Sequence, residues 1–337
     1  MSALSRAALA VFACLVFCLD ASAWDRGSVE RFASLLPGSP NPEGITADRH
    51  GDLYVSGFSP TSPVGPGKVF VFGQDGALKR VLHVAGSTNA LLGLAFSERE
   101  ELLVIDFGAS QVLRVNPHTG ASTVFMTVPP GAHGLNALTF DRAGNVYVSD
   151  SFQGVIWVTG PRGGLGAIWK SDPLLTTAGF PPFGANGLEF NSDESALFVA
   201  NTGNDTVVRI ASVAGVAGDA TVFTNSINGA DGLFLDRNDN VWVCANQSDE
   251  IVVTDRSGKA IAKLGDFNGV QGGSPVGLLF PASLVRVADW VYITNLSLDL
   301  RPITSQQSVD SQWAAMVTTH TISRIRFAIP GQSGTAD

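Results

Sequence analysis

One phrase recurs six times along this chain, and its regular spacing limits the possible folds more than any other feature. Each copy contains a first residue of variable polarity, a small residue, an aliphatic residue, a short apolar run, a polar turn and a second apolar segment. The first residues of the copies are Glu43, Leu92, Asn136, Asn186, Asp231 and Val276. They lie 44 to 50 residues apart, which is close to the length of a four-stranded propeller blade.

The segments within each copy have the pattern of short antiparallel strands. Apolar and polar residues alternate between turns rich in Asp, Asn and Gly, and no segment keeps a helical period. The sixth copy has a third strand at Thr321 to Phe327 but no fourth, whereas Val29 to Leu35 forms a strand-like segment before the first copy. Pairing these two segments would close the ring and remove an open edge. The sequence therefore predicts an all-β, six-bladed β-propeller of four-stranded antiparallel blades, closed by the N-terminal strand.

Residues 1–23 are predicted to be an export signal, and residues 24–337 a single propeller domain. Arg6 supplies a positive charge, Ala7 to Leu19 an apolar region, and Ala21-Ser22-Ala23 a small-residue cleavage site. Because the apolar run is too short to span a bilayer, we expect a secreted or periplasmic protein without stable membrane insertion.

The charged residues argue against nucleic-acid and anionic-membrane partners, and the cysteines argue against an internal disulfide. The 21 Lys and Arg residues against 30 Asp and Glu residues give a net charge of −9, with no basic cluster. Nucleic acids and anionic membranes require a positive surface, so the expected partner is a small molecule. Cys14 and Cys18 lie in the predicted signal and are weak candidates for a lipid anchor, which leaves Cys244 without a partner for a disulfide.

The aligned first residues of the copies are candidate ligands for a metal ion. Four of them carry side-chain oxygens: Glu43, Asn136, Asn186 and Asp231. Because the innermost strand of every blade borders the channel, we expect these side chains to converge, and oxygen donors without Cys or His suit Ca²⁺. Leu92 and Val276 would form an apolar wall at the same mouth. Each Asn or Asp could instead be a turn residue, but their common register favours the metal site.

The order Glu, Asn, Asn, Asp at the blade starts resembles the SMP-30/gluconolactonase family. The resemblance covers essentially the whole mature chain and includes the phrases Asn186-Gly187-Leu188 and Asp231-Gly232-Leu233. It implies a six-bladed propeller with one Ca²⁺ in the channel that hydrolyses lactones or related esters, as in related phosphotriesterase and paraoxonase-like propellers. It also implies that Glu43, Asn186 and Asp231 are metal ligands and that Asn136 ligates the metal or contacts substrate.

One departure from this family concerns the residue two positions before Asn136. Gluconolactonases have an arginine there that grips a sugar acid, whereas this chain has Gly134. The neighbouring His133 is a candidate proton shuttle. Alternatively, and equally well supported by the sequence, it is a structural loop histidine bonded to the backbone. Sugar lactones are therefore not the expected substrates, and Phe180 and Phe183, with the apolar wall, favour a less polar one.

The leading hypothesis is an exported Ca²⁺-dependent hydrolase in which the metal polarises the substrate carbonyl. Asp231 or Glu43 would activate a water molecule or attack directly. The alternatives are a non-catalytic NHL-type binding propeller, supported by the generic repeat alone, and a metal-free propeller resembling strictosidine synthase. The segment Leu296 to His320 interrupts the repeat and is either a lid or binding loop or a surface excursion.

Overall fold

In the computed structural model, which describes residues 25–62 and 64–331, six antiparallel sheets surround a central channel. The predicted all-β, six-bladed propeller is confirmed. The predicted export signal lies outside the described residues. The first strand of the described chain is β1 (Glu30–Ser34).

The first three blades follow one another along the chain. Blade 1 consists of β2 (Asn41–Ala47), β3 (Leu53–Phe58), β4 (Gly67–Phe72) and β5 (Leu78–Val84). Blade 2 consists of β6 (Leu91–Phe96), β7 (Leu102–Asp106), β8 (Gln111–Val115) and β9 (Ser122–Thr127). Blade 3 consists of β10 (Leu135–Phe140), β11 (Val146–Asp150), β12 (Val155–Thr159) and β14 (Ala167–Ser171). The short β13 (Gly164–Leu165) leaves blade 3 and pairs in parallel with β9 of blade 2.

The last three blades complete the ring. Blade 4 consists of β15 (Ala185–Phe190), β16 (Ala196–Asn201), β17 (Thr206–Val213) and β18 (Val216–Asn225). Blade 5 consists of β19 (Ala230–Leu235), β20 (Val241–Ala245), β21 (Glu250–Thr254) and β22 (Ala260–Leu264). The hairpin of β23 (Phe267–Gln271) and β24 (Ser274–Gly277) precedes blade 6, which consists of β25 (Pro281–Val287), β26 (Trp290–Asn295), β27 (Thr321–Arg326) and β1.

Two single-turn helices, α1 (Arg301–Thr304) and α2 (Ser311–Ala314), lie in the segment between β26 and β27. Among the described residues, no helix has the length and apolar character needed to cross a membrane.

The ring is closed by the N-terminal strand, as predicted. β1 pairs antiparallel with β27, with Glu30 opposite Arg324 and Ser34 opposite Thr321. The Arg324 guanidinium also contacts Glu30 Oε2 at 2.7 Å. Because the first strand completes the last blade, blade 6 joins the two ends of the described chain and leaves no open edge between the first and last blades.

The strand pairing corrects one position of the aligned repeat. Pro281 pairs with Asn295 in blade 6 as Ala230 pairs with Ala245 in blade 5. The blade 6 equivalent of Asp231 is therefore Ala282, and the prediction of Val276 for this position was wrong. Val276 lies in β24. The inserted hairpin ends in the sequence Val-Gly-Leu, which imitates the repeat and explains the error.

The inner strands approach one another so closely that a small residue must follow each aligned position. A Cβ atom added at Gly44 would lie 2.5 Å from the Leu92 carbonyl oxygen, and one at Gly187 would lie 2.6 Å from the Asp231 carbonyl oxygen. A Cβ atom at Gly232 would lie 2.6 Å from the carbonyl oxygen of Ala282. The small residue of the repeat therefore sets the spacing between neighbouring blades.

Hydroxyl groups at the inner edges of the blades link each of four blades to the next one. The donors and their acceptor carbonyls are Ser56 to Leu92 at 2.6 Å, Ser151 to Ala185 at 2.7 Å, Thr202 to Ala230 at 2.8 Å and Thr294 to Glu43 at 2.6 Å. Since every acceptor lies on the innermost strand of the next blade, these bonds fix the relative positions of the strands that border the channel.

The apolar core is divided into layers between neighbouring blades. Tyr54 and Val71 of blade 1 pack with Val104 of blade 2. Trp242 of blade 5 packs with Ile293 of blade 6. Because these layers lie between the sheets, a polar side chain on the channel axis can change without removing apolar packing.

We expect Gly187→Ala to lower the free energy of unfolding by about 1–3 kcal/mol, since the added methyl group must push two inner strands apart. Urea unfolding measures this change. Gly160→Ala is the matched control, because the nearest atom to its Cβ would be 4.0 Å away. It should leave stability unchanged or raise it by up to about 1 kcal/mol. Equal stability of the two variants would contradict the close approach of the inner strands.

Candidate functional site in the central channel

A small cavity of about 40 Å³ lies in the channel, with polar side chains on one part of its wall and apolar side chains on the other. The polar lining residues are Glu43, Asn136, Asn186, Thr202, Asp231 and Asn246. The apolar lining residues are Phe58, Leu92, Pro181, Phe183, Phe280, Leu296, Leu298 and Leu300. The structure thus brings together the four predicted oxygen donors with Leu92 and Phe183, whereas Val276 and His133 are not part of this wall.

The two carboxylates of the site are almost completely buried. Glu43 is 5% exposed and Asp231 is 4% exposed. Glu43 Oε2 and Asp231 Oδ1 have no hydrogen-bond partner, while Asn246 Nδ2 donates to Asp231 Oδ2 at 2.7 Å. Two buried carboxylates with unpartnered oxygens are unfavourable unless a proton or a cation neutralises them.

Burial raises the pKa of both carboxyl groups. The pKa of Glu43 rises well above its ordinary value because of burial first and the negative charge of Asp231 second. Burial likewise raises the pKa of Asp231 to about 7, although hydrogen bonds from Asn246 and Asn186 oppose this shift. In the metal-free protein, the fold therefore favours protonated carboxyl groups near neutral pH.

Each of the two predicted asparagines of the cavity wall is held by a hydrogen bond from its amide nitrogen to a hydroxyl group of its own blade. Asn136 Nδ2 donates to Ser151 Oγ at 3.2 Å, and Asn186 Nδ2 donates to Thr202 Oγ1 at 2.9 Å. Ser151 and Thr202 are among the hydroxyl residues that link neighbouring blades. The orientation of each asparagine is therefore fixed by a contact that also holds the ring together.

Unpartnered carboxylate oxygens beside two amide oxygens are a donor set that could hold Ca²⁺. In the described part of the chain, no group of three or more His, Cys, Asp and Glu side chains is arranged to hold a metal. A cation in this channel would therefore depend on the amides of Asn136 and Asn186 in addition to Glu43 and Asp231. Four protein ligands leave further coordination positions for water or substrate, because Ca²⁺ takes about six to eight oxygens.

His133 lies outside the cavity wall and has both ring nitrogens engaged. Its Nδ1 atom is 2.7 Å from Asp150 Oδ2, and its Nε2 atom is 2.7 Å from the Pro129 carbonyl oxygen. Asp150 also accepts hydrogen bonds from the Gly134 amide and the Trp157 indole. These contacts are those of a structural loop histidine, the alternative role considered for His133. They leave neither ring nitrogen free for a proton shuttle.

The aligned residues Glu43, Leu92, Asn136, Asn186, Asp231 and Ala282 are the first ring of side chains, and the sequence analysis missed a second ring next to it. The second ring consists of the last residue of β3 in blade 1 and of the residue directly after the second strand in each other blade: Phe58, Phe107, Ser151, Thr202, Asn246 and Leu296. Ser151, Thr202 and Asn246 orient the polar residues of the first ring. The signal was present in the sequence, because these residues occupy one position of the repeat, and in four of the six blades they directly follow an Asp or Asn.

Comparison with known proteins identifies the family. The SMP-30/Gluconolactonase/LRE-like region matches residues 87–265 of this chain. The chain belongs to this family. No curated protein matches it by sequence. The predicted resemblance is confirmed, and the matched part covers blades 2 to 5.

Three solved structures share this fold. A luciferin-regenerating enzyme is 15% identical, with a TM-score of 0.65, covering 91% of this chain and 98% of its own. A gluconolactonase from Xanthomonas campestris is 16% identical, with a TM-score of 0.59, covering 87% and 88%. Regucalcin, a calcium-binding protein from Agrobacterium tumefaciens, is 15% identical, with a TM-score of 0.59, covering 88% and 95%. At these identities, the likeness shows the fold.

We expect the stability of the metal-free protein to fall as the pH rises from about 4 to about 7. The folded pKa of Asp231 is raised from 3.8 to about 7, so its stabilising contribution is complete below the lower value and is lost as the pH passes through the higher one. Asp231→Asn should reduce this slope, because it removes one group and relieves the repulsion on Glu43. Urea unfolding with a chelator at a series of pH values measures the effect.

The control is Asp193→Asn, since Asp193 is exposed and its pKa is lowered rather than raised. This variant should keep the slope of the parent protein over the same pH range. An unchanged slope in Asp231→Asn would show that the channel carboxyl groups do not govern the pH dependence of stability.

Proposed function

We propose that this protein is a Ca²⁺-dependent hydrolase of lactones or related esters, with the metal held by Glu43, Asn136, Asn186 and Asp231. The observation that carries the proposal is the pair of buried, unpartnered carboxylate oxygens beside two oriented amides. Since buried carboxylates destabilise a protein unless they are neutralised, a bound cation would stabilise this arrangement. Membership of the family and the fold shared with a gluconolactonase and a calcium-binding regucalcin support the proposal.

A bound Ca²⁺ would polarise the substrate carbonyl and stabilise the negative charge that develops on its oxygen. Asp231 is the proposed proton acceptor: its unpartnered Oδ1 atom would ligate the metal, and its Oδ2 atom is held by Asn246. Oδ2 would take a proton from a water molecule as the water oxygen bonds to the carbonyl carbon. The same proton would pass to the leaving ring oxygen as the carbon–oxygen bond breaks, which gives a hydroxy acid. Glu43 could accept the proton in place of Asp231. In a variant of this mechanism, either carboxylate attacks the carbonyl carbon directly.

We further propose that residues 1–23 direct export to the periplasm or the medium, on the basis of their charge, apolar region and cleavage pattern. The mature protein should then begin at Trp24, as N-terminal sequencing of the exported protein would show. Recovery of the protein in the cytosol with residues 1–23 intact would contradict export.

We expect Asp231→Asn to lower turnover of a hydrolysed lactone by about 10²- to 10⁴-fold, since it removes the proposed proton acceptor at nearly constant shape. Circular dichroism should show an intact propeller. Asp236→Asn is the matched control, because Asp236 is a buried carboxylate of the same blade that accepts hydrogen bonds from Asn238, Asn240 and Trp242 and does not line the cavity. It should keep turnover within a few-fold of the parent.

Asn186→Ala should act mainly through weaker metal binding, so that excess calcium restores part of its activity. Lactones, aryl esters and phosphotriesters assayed with calcium and with a chelator provide the measurement. Full activity in the chelated protein would contradict the metal-dependent mechanism. Turnover of Asp231→Asn close to that of the parent would show that Asp231 is not the proton acceptor. Failure of the parent itself to hydrolyse any of these substrates would favour the non-catalytic binding propeller instead.

A further inference from the structure

The two rings divide the channel mouth into a polar side and an apolar side. Blades 3, 4 and 5 contribute only polar residues to both rings, whereas blades 6, 1 and 2 contribute apolar residues everywhere except Glu43. The apolar members are Ala282 and Leu296 of blade 6, Phe58 of blade 1, and Leu92 and Phe107 of blade 2. A substrate whose carbonyl lies near the carboxylates would therefore have its remaining atoms beside an apolar wall.

This wall is extended by leucines that alternate along the segment after β26. Leu296, Leu298 and Leu300 line the cavity and are 5%, 8% and 1% exposed. Between them, the Ser297 amide and hydroxyl bond to the Leu279 carbonyl oxygen instead. This short segment therefore supplies three apolar side chains to one surface, the wall of the cavity.

The wall offers little to a substrate with many hydroxyl groups. The residues that line the cavity include no Lys, Arg or His, and the amide nitrogens of Asn136, Asn186 and Asn246 already donate to protein oxygens. A hydroxyl group that leaves water for the leucine surface would lose hydrogen bonds without replacing them, which is unfavourable. An alkyl or aryl group would instead be stabilised there by burial.

The cavity is too small for any such substrate. Its volume of about 40 Å³ suffices for a few water molecules at roughly 10–15 Å³ each. Leu296 is held in place, because its amide donates to the Phe280 carbonyl and its own carbonyl accepts from Asn41 Nδ2. At the other end, the amides of Thr318 and Thr319 donate to the Gly273 carbonyl. Residues 298–317 lie between these two anchors and form the lid. Outward movement of the lid would enlarge the cavity.

We propose that Leu298 and Leu300 of the lid, with Leu296, Phe58 and Phe280, bind an alkyl or aryl substituent of the substrate. The substrate is then a lactone or ester with an apolar substituent, and the lid moves outward to admit it. This inference rests on the proposed function for the position of the reacting carbonyl. The identity of the apolar surface follows from the cavity wall alone.

The test uses the full chain with calcium and γ-lactones whose alkyl substituent lengthens from γ-butyrolactone to γ-decalactone. We expect kcat/KM to rise by about fourfold for each added methylene, which corresponds to about 0.8 kcal/mol per buried methylene, until the wall is filled. Glucono-δ-lactone should be a poor substrate. Leu298→Ala should flatten this dependence on chain length, whereas the volume-conserving Leu298→Met should retain it.

Leu264→Ala is the matched control, because Leu264 is a buried leucine on the outer strand of blade 5 and 2% exposed. It should lose stability yet keep the dependence on chain length. A flat dependence in the parent protein, or a preference for glucono-δ-lactone, would overturn the inference and leave the proposed hydrolase in place.

A second measurement needs no catalysis. Alkyl-substituted γ-lactams, which resist hydrolysis, should raise the Tm by more as their chain lengthens, and Leu298→Ala should lose this trend. If the lactams show the trend but no lactone is hydrolysed, the proposed function fails and the apolar binding surface stands. If the lactams leave the Tm unchanged at every chain length, the apolar binding surface is contradicted.

Discussion

The close approach of the inner strands around the channel is the constraint on which the rest of this structure depends. A methyl group at Gly44, Gly187 or Gly232 would collide with the backbone carbonyl of the next blade, so the repeat must have a small residue after each aligned position. With this spacing, the aligned residues of blades 1 to 5 line one cavity in the channel. Side chains from blades far apart in sequence therefore meet within one small cavity.

The same bonds that hold the ring together also prepare the candidate site. Ser151 and Thr202 each donate to the neighbouring blade and accept from an asparagine of the first ring. The amide oxygens are thereby oriented before any ligand arrives, which reduces the cost of binding one. Glu43 and Asp231 each have one buried carboxylate oxygen without a hydrogen-bond partner. The fold therefore contains two energetically unfavourable groups at the position where a cation would bind.

Much of this arrangement could be predicted from the sequence, because a repeat with a constant period fixes both the fold and one ring of side chains. This repeat predicted the four oxygen-bearing residues that meet in the channel: Glu43, Asn136, Asn186 and Asp231. Sequence alone misassigned Val276, since the hairpin before blade 6 imitates the repeat and only strand pairing identifies Ala282. The position of the leucines after β26 could not be predicted either. That segment has no counterpart in the other blades, and its place over the channel depends on tertiary contacts.

The most direct test of this account is a crystal structure of the protein grown with calcium, in which anomalous scattering identifies the ion. The account predicts one Ca²⁺ on the channel axis, with Glu43 Oε2 and Asp231 Oδ1 at about 2.3–2.6 Å and the amide oxygens of Asn136 and Asn186 as further ligands. A channel without calcium, in which both carboxylate oxygens are instead bonded to water or to protein donors, would contradict it.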